Sequence, residues 1–575
     1  MIAPVAVVLL VICGAIFILN ALSARADLRH AQVSSEQLQQ AIVDGDKNAA
    51  AKALSSLQSS AHGAHSSTSN ILWIAASKVP FVGHNVTAVR TVAKSLDEVA
   101  ESAMPSIVNI ATKLDLNTFS PKKGKVDLAQ LATLNQPVAK ANAVLAAQKT
   151  TLDRIRVEDL AGPIRSPVTD FITRIDEAAS AARITHQTLG LVPTMLGDSR
   201  RTYLIVFQNN AEIRATGGLP GSYLIAKVKN GKISRGKQGT GSEIQVLDKP
   251  ALPLTSAEKT IYPGLLGRLF IDTNFTPEFP RTAALMKAIL KKQTGVKVDG
   301  VISLDPIAMS YLLAGTGPVK LKDGTVLTST NAVSELLNKA YLRFPQQNQS
   351  DDFFKDAAAK LFDFVTDGHG NTGQTIRGLV RAAKEQRIYV WSDDKSEQRE
   401  LSTMAVAGTL VPDKKENPSL GVFLNDATGT KLDYYLRYAT SVTPGTCSSN
   451  GSQTVEARID LASFAPANAA DLPPSIVNDQ NGVAKGRMQF TVRFYLPTGG
   501  KLLSVRTNTK VLGVATRHQN GHSVYGVPFN LSPGEQAYAD VVFRTPPGDN
   551  KLIKVSTTPS VQPGRSVQVA HTVCR

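Results

Sequence analysis

A chain of 575 residues exceeds what one hydrophobic core can organise and points to three or four units. Hydrophobic residues at 42% and charged residues at 19% exclude a disordered chain. The net charge of +16 calls for anionic partners, and the short basic clusters Lys122-Lys123-Lys125 and Lys291-Lys292 lack interleaved aromatics. Nucleic acid is therefore set aside in favour of lipid headgroups or a phosphate-bearing envelope polymer.

Residues Ile2–Leu22 form an apolar run of membrane-crossing length, interrupted only by Pro4, Gly14 and Asn20. Residues 1–26 are read as an uncleaved transmembrane helix, with a signal peptide cleaved near Ala24-Arg25-Ala26 as the alternative. Arg25 and Arg29 follow the run and no basic residue precedes it, which alone would leave the bulk of the chain in the cytoplasm. The cysteines argue the other way. Cys13 lies in the run, and Cys447 and Cys574 flank one β-rich region, as a disulfide pair on the oxidising side would. Two unrelated buried thiols are the other reading. The expected location is a single-pass cell-membrane protein with its bulk extracytoplasmic.

From 27 to 196 the chain is rich in Ala, Gln, Ser and Leu with helical spacing, as in Val89-Val92-Leu96-Val99. Breaks at Lys78–Gly83, Ser120–Gly124 and Gly162-Pro163 divide it into a helical bundle or stalk. Trp73 and Phe81 flank the first break and either pack between helices, the first reading, or sit at a membrane interface.

Residues 197–420 alternate strands (Tyr203–Phe207, Ser222–Val228, Gly300–Leu304, Arg387–Trp391) with helices (Thr282–Lys292, Pro306–Ala314, Thr330–Tyr341, Phe353–Thr366, Thr375–Glu385). That order predicts a central α/β domain with helices packed on a sheet. From 421 to 575 short alternating runs separated by Pro-Gly, Thr-Gly-Gly, Asn-Gly and Pro-Pro-Gly-Asp turns predict a β-sandwich. The fold class is thus multidomain α+β.

No His-Glu-x-x-His, nucleophile elbow, phosphate-binding glycine loop or Cys-x-x-Cys occurs. The densest polar stretch follows the strand Tyr203–Phe207, where Asn209, Asn210, Glu212, Arg214, Gly217 and Gly218 read as a long loop between two strands. If extended, Glu212 and Arg214 share one face; a guanidinium there can grip phosphate or carboxylate, with the asparagines adding donors and acceptors. The plainer reading is that Glu212 and Arg214 neutralise each other while the asparagines and glycines shape the turn. Asp272 and Asn274, before a helix, offer oxygen ligands to a cation or simply prepare the helix start. Asp305, ahead of Pro306, is most simply an N-cap.

Four motifs, QNNAEIRATGGLPGSY (208–223), DTNFTPEFP (272–280), VDGVISLDP (298–306) and GTGPV (315–319), resemble Domain of Unknown Function 4012 in matching order, over about Gly197 to Val442. That family implies a membrane-anchored protein of Gram-positive bacteria, notably actinobacteria, and no mechanism. The 298–319 segment is also similar to part of the LytR-CpsA-Psr phosphotransferases. By that resemblance Arg214 and Arg343 would grip phosphate and Asp272 or Asp305 would hold a divalent cation, although Gly317-Pro318-Val319 departs from the pattern. The expected function is binding or positioning of an anionic or sugar polymer without catalysis and with no assured cofactor. The partners would be membrane lipid and an envelope polymer or lipid-linked glycan. The alternative is transfer of a pyrophosphate-linked glycopolymer to the cell wall.

Overall fold

The computed structural model describes the chain apart from residues 1, 45, 114–115, 198, 263, 265, 411–417, 479–481, 509–510, 512, 549–552, 563–566 and 570–575; at 2–16, 18, 43, 113 and 116 only the backbone is described. Two compact units emerge, one of residues 1–119 with 127–194, the other of 120–126 with 195–575.

The first unit is helical. Its opening helix, Ile2–Asp44, pairs with Lys47–Ser69, because Ala31, Leu38 and Ala41 on one face meet Ala50, Ala53, Leu57 and Ala61 on the other. Small side chains at helical spacing let the two backbones approach closely. Asp46 caps the second helix by accepting from the Asn48 and Ala49 amides at 3.0 and 2.9 Å. A second cluster, including Val92, Val99, Leu145, Leu152, Val168 and Ile175, closes the helices Gly83–Glu98, Asn135–Leu152 and Gly162–Leu196. The breaks at Lys78–Gly83 and Ser120–Gly124 separate helices, whereas Gly162-Pro163 opens the helix Gly162–Leu196. Trp73 packs against Phe17, with ring centroids 4.9 Å apart, whereas Phe81 stands clear of the bundle. His62 and His65 share a face, and both turn toward Asp97 of another helix. Among the described residues no helix is long and apolar enough to cross a membrane, and most side chains of the apolar run lie outside them.

The second unit begins with a mixed sheet in the order β3-β2-β1-β4-β7, built from β1 (Arg201–Arg214), β2 (Gly217–Lys229), β3 (Lys232–Thr240), β4 (Gly300–Leu304) and β7 (Ile388–Ser392). Only β1 and β4 run parallel. A small ribbon, β5 (Val319–Lys320) with β6 (Val326–Leu327), lies apart. Helices cover both faces. Leu204 and Val206 meet Ala283, Met286 and Ile289 of the helix Phe279–Thr294, while Tyr203 and Phe207 meet Ile307, Leu312, Ala357 and Leu361 on the other face. Burial on both sides explains the continuous apolar run Tyr203–Phe207 in β1.

The polar stretch after Phe207 is not a loop. Strand β1 continues through Arg214 and turns at Ala215-Thr216, with register shifts at Phe207/Gln208 and Asn209/Ile213. Polar residues can occupy a buried strand here because each side chain makes at least one hydrogen bond inside the protein. Glycine is required at 218, where a Cβ would lie 2.1 Å from the Asn209 carbonyl carbon and oxygen.

Ten strands follow among the described residues: β8 (Ser419–Asp426), β9 (Leu436–Cys447), β10 (Gln453–Ser463), β11 (Met488–Tyr495), β12 (Lys501–Thr507), β13 (Arg517–Gln519), β14 (His522–Leu531), β15 (Gln536–Arg544), β16 (Lys554–Thr557) and β17 (Val567–Val569). They form two five-stranded sheets, β12-β15-β10-β9-β17 and β13-β14-β11-β8-β16. One hydrophobic core draws on both, with Val455, Ala457, Ile459 and Leu461 from the first and Phe490, Val492 and Phe494 from the second. Their period of two is the alternation seen in the sequence. Cys447 ends β9, and Cys574 lies outside the described residues.

Candidate functional site

The far end of β1 is threaded through a buried ion network. Arg214 Nη2 donates to Glu212 Oε1 at 2.7 Å and to Asp272 Oδ1 at 3.0 Å, and Nη1 lies 3.9 Å from Asp426 Oδ2. The guanidinium also lies 4.6 Å from the Phe275 ring centroid. Lys431 Nζ donates to the other Glu212 oxygen, and the Ile213 amide donates to Asp433 Oδ2 at 2.8 Å. Glu212, Arg214, Asp272, Asp426 and Asp433 are all buried.

Four carboxyls thus share two cations, and burial penalises each unpaired charge. Burial would raise Glu212, but Lys431 and Arg214 overcome it and hold that carboxyl below its ordinary range. Burial raises Asp272 despite Arg214. Burial and the neighbouring Glu212 push Asp426 up to about 6, and burial with Asp426 raises Asp433 well above the usual carboxylate range. Arg214 Nε, Asn274 Oδ1 and Asp433 Oδ1 are buried without a hydrogen-bond partner among the described residues.

The other expected site residues are dispersed around this network. Asn209 donates to the Tyr341 hydroxyl and accepts from the Ala211 amide at 3.0 Å. Asn210 donates to Asp305 Oδ2 at 3.3 Å. Asn274 donates to Thr216 Oγ1 and the Gly218 carbonyl, at 3.0 and 2.8 Å, which ties the 272–275 turn to the hairpin. Gly217 has φ 132°, and a Cβ there would meet Gln208 Oε1 at 2.6 Å. Asp305 caps the helix Pro306–Thr316 through the Ala308 amide at 2.7 Å and pairs at 2.9 Å with Arg387, whose side chain is fully buried. Burial raises Asp305, with Arg387 opposing. Arg343 lies elsewhere, facing Glu335 at 3.3 Å and Asp323 at 3.6 Å. The structure therefore joins Arg214 to Asp272 and Asn210 to Asp305, and leaves Arg343 apart from both pairs. Among the described residues no group of three His, Cys, Asp or Glu side chains is disposed to hold a metal ion.

Beside the network is a cavity of about 320 Å³. Phe207, Met309, Leu336, Leu337 and Phe354 give it an apolar body; Asn209, Glu212, Tyr341 and Lys431 supply the inner polar groups, and Ser242, Gln347 and Asp351 the rim. Gln347 and Ser242 both donate to Asp351, at 2.7 and 2.9 Å. Burial raises the Tyr341 phenol far above its usual range, so it stays protonated and can donate. Lys431 is neutralised by Glu212, so the interior offers hydrogen bonds and aromatic faces rather than net positive charge.

Positive charge collects elsewhere on the same sheet. Lys125, Arg200, Lys227, Lys229 and Lys232 line an open groove of about 550 Å³ with Val228, Asn230 and Ser234. Lys227 and Lys229 alternate along β2 and so project from one face, about 7 Å apart. Lys229 lies directly across the hairpin from Lys232, and Lys232 pairs in turn with Lys125. Like charges at directly opposed positions repel. All five are exposed, none forms an ion pair among the described residues, and no carboxylate lines the groove. The sequence reading missed this site, although Lys-Val-Lys-Asn-Gly-Lys (227–232) carries the signal. An Asn-Gly hairpin turn, with φ 50° and 73°, brings alternating lysines onto one face.

Fold and sites together define a multidomain α+β protein with a helical N-terminal region and C-terminal sheets, carrying a ligand-sized cavity and a basic groove. Residues 198–341 match the family model described as a protein of unknown function (DUF4012), and the match takes in all four sequence motifs. No curated protein matches the chain. Among solved structures, the Lin1025 protein from Listeria innocua is similar over 39% of this chain and 86% of its own, at 11% identity and a TM-score of 0.19; at that score the likeness carries no argument.

Proposed function

We propose that this is a membrane-anchored, extracytoplasmic cell-envelope protein that binds an anionic glycopolymer without catalysing a reaction. The observation that carries the reading is the groove of Lys125, Arg200, Lys227, Lys229 and Lys232, in which cross-strand lysines face one another with no counter-charge among the described residues. A polyanion laid along it would relieve that repulsion and release counterions. The cavity beside β1 favours a second reading for the sugar part of such a ligand. Its amide, hydroxyl and aromatic groups suit a neutral glycan unit better than a phosphate.

The helical region 27–196 would act as a stalk, the central domain 197–420 would carry both sites, and the sheets of 421–575 would form a β-sandwich used for interaction. The core shared by the two sheets supports that last assignment. A Cys447–Cys574 disulfide belongs to the same reading. Strand β17 runs parallel to β9 with Val569 beside Val442, and the two cysteines follow at equal distances along the chain. The phosphotransferase alternative needs Arg214 free to grip phosphate, whereas its Nη2 is held by Glu212 and Asp272.

Titrating the full chain with inorganic polyphosphate and with dextran tests the reading. Polyphosphate should bind with an affinity that falls steeply as salt rises, while a preference for dextran would shift the function to the cavity. For the alternative, metal-dependent release of phosphate from a pyrophosphate-linked lipid analogue, lost in Arg214→Ala, would replace binding with transfer.

A further inference from the structure

The first two helices form an antiparallel hairpin. Ser34 hydrogen-bonds Ser56 at 2.8 Å, Asp27 lies against Gly63, and Phe17 packs on Trp73. After the short helix Ile71–Ala76 the chain bends and starts again at Gly83. The bend is unusual for a surface in water. Ile71, Ile74, Val79, Phe81 and Val82 are all exposed, Phe81 by 97% and Ile71 by 74%. Lys78 is the only charged residue from Ile71 to Val82. Contiguous exposed apolar side chains of this size mark a contact surface.

Its presentation is fixed by the backbone. Phe81 sits at φ 64°, a left-handed conformation costly for a bulky side chain, by roughly 1–2 kcal/mol. Hydrogen bonds from the Val82 amide to Pro80 O and from the Gly83 amide to Val79 O, both 2.8 Å, hold it there. Glycine is needed at 83, because a Cβ would lie 2.4 Å from Ser77 O. A strained turn that leaves phenylalanine exposed has found no partner for it among the described residues.

The hairpin register says what covers it. Phe17, the partner of Trp73, lies within the apolar run Ile2–Leu22 and about 7 Å short of its end along the helix axis. Leu19 and Leu22 are exposed at the same end of the unit. The helix that follows the bend runs back along the second one, with Arg90 Nε donating to the Thr68 carbonyl at 3.0 Å and Asp97 2.7 Å from His65, so the bend lies beyond Trp73 in the direction of the N-terminus of the first helix. Whatever apolar medium receives the run therefore receives the bend, at the depth of roughly 5–10 Å typical of interfacial insertion.

We propose that Ile71–Val82 is a membrane-inserting knuckle, seated in the acyl boundary beside the N-terminal run, with Phe81 and Val82 at its tip. Lys78 can extend its ammonium to the lipid phosphates while its stem stays in the apolar layer. Trp73, buried on Phe17, braces the knuckle against the helix. The knuckle would fix the tilt of the bundle on the membrane, which a single helix cannot do. This inference rests on the membrane-anchored reading of the function.

The test uses the full chain reconstituted into phosphatidylcholine–phosphatidylglycerol vesicles, with and without bromine on the upper acyl carbons. The reporter is Phe81→Trp, and Leu503→Trp, an exposed position in the second unit, is the control. After subtraction of the parent emission, Trp at 81 should be blue-shifted and quenched about twofold by the brominated lipid, and Trp at 503 should be unaffected. A chain that floats with the vesicles while Trp at 81 emits as in water overturns the knuckle and leaves the anchor standing. A blue-shifted but unquenched Trp assigns the patch to a second protein copy and also overturns it. Failure to float overturns the anchor reading and the knuckle with it, and is read by flotation before any fluorescence.

Discussion

At the residue scale, the chain sets its strongest charges against one another. Arg214 looks in sequence like a free anion grip, but its guanidinium is buried among Glu212, Asp272 and Asp426. Truncating it would leave carboxylates buried without a partner. Arg214→Ala should therefore destabilise the second unit by about 3–5 kcal/mol in chemical denaturation while leaving polyphosphate affinity unchanged in the folded protein. The network also predicts an inverted pH response. Burial and Glu212 raise Asp426 to about 6, and outside the network burial raises Glu278, which accepts from the Leu410 amide at 2.9 Å, to about 7. The folded state then binds more protons than the unfolded one between these values and the ordinary carboxylate range near 4. Stability lost at neutral pH is regained as pH falls, so the thermal midpoint should rise by a few degrees from pH 7.5 to 5, and Asp426→Asn should flatten the slope. A midpoint that falls over that interval in the parent protein would count against the assignment. The Glu212–Arg214 pairing was legible because the two residues share a strand face. Asp426, Asp433 and Lys431 were not, since they arrive from more than 200 residues away. Asp305 likewise announced itself as a cap through Pro306, whereas nothing local pointed to Arg387.

At the element scale, the β1–β2 hairpin is the feature that sequence periodicity describes least well. Gln208, Asn209 and Asn210 break the apolar run and so read as a loop. Yet Gln208 donates to Ser303 Oγ at 2.5 Å and accepts from the Gly218 amide at 2.8 Å, which satisfies it inside a strand. Local patterns register polarity and carry no information about distant partners. Glycine was the better guide, as the demand for close backbone approach is strict at 218. Gly218→Ala should abolish or sharply lower the yield of folded protein, whereas Gly295→Ala, where no atom lies within 4 Å of an added Cβ, should cost only the strain of its φ of 73°. Soluble expression and thermal melting distinguish the two. The Asn230-Gly231 hairpin shows the converse case, because the turn and the alternating lysines could be read directly and together predict the groove.

At the scale of the whole molecule, the order of textures along the chain carried most of the architecture: Ala-rich helical spacing, then strands alternating with helices, then period-two runs between turns. Each follows from local periodicity acting on burial. The pairing order of the strands was not legible, because β1 meets β4 and β8 meets β16 across long intervals of chain. The envelope account also makes a covalent prediction. On a non-reducing gel the full chain should migrate faster than after reduction, and Cys574→Ser should remove the difference; equal mobility would contradict the Cys447–Cys574 pairing. The account stands or falls on the groove. Polyphosphate binding by the full chain should weaken at least tenfold in Lys229→Glu/Lys232→Glu and remain at the parent value in Asn209→Ala. Unchanged binding in the double charge reversal, or loss only in Asn209→Ala, would contradict it.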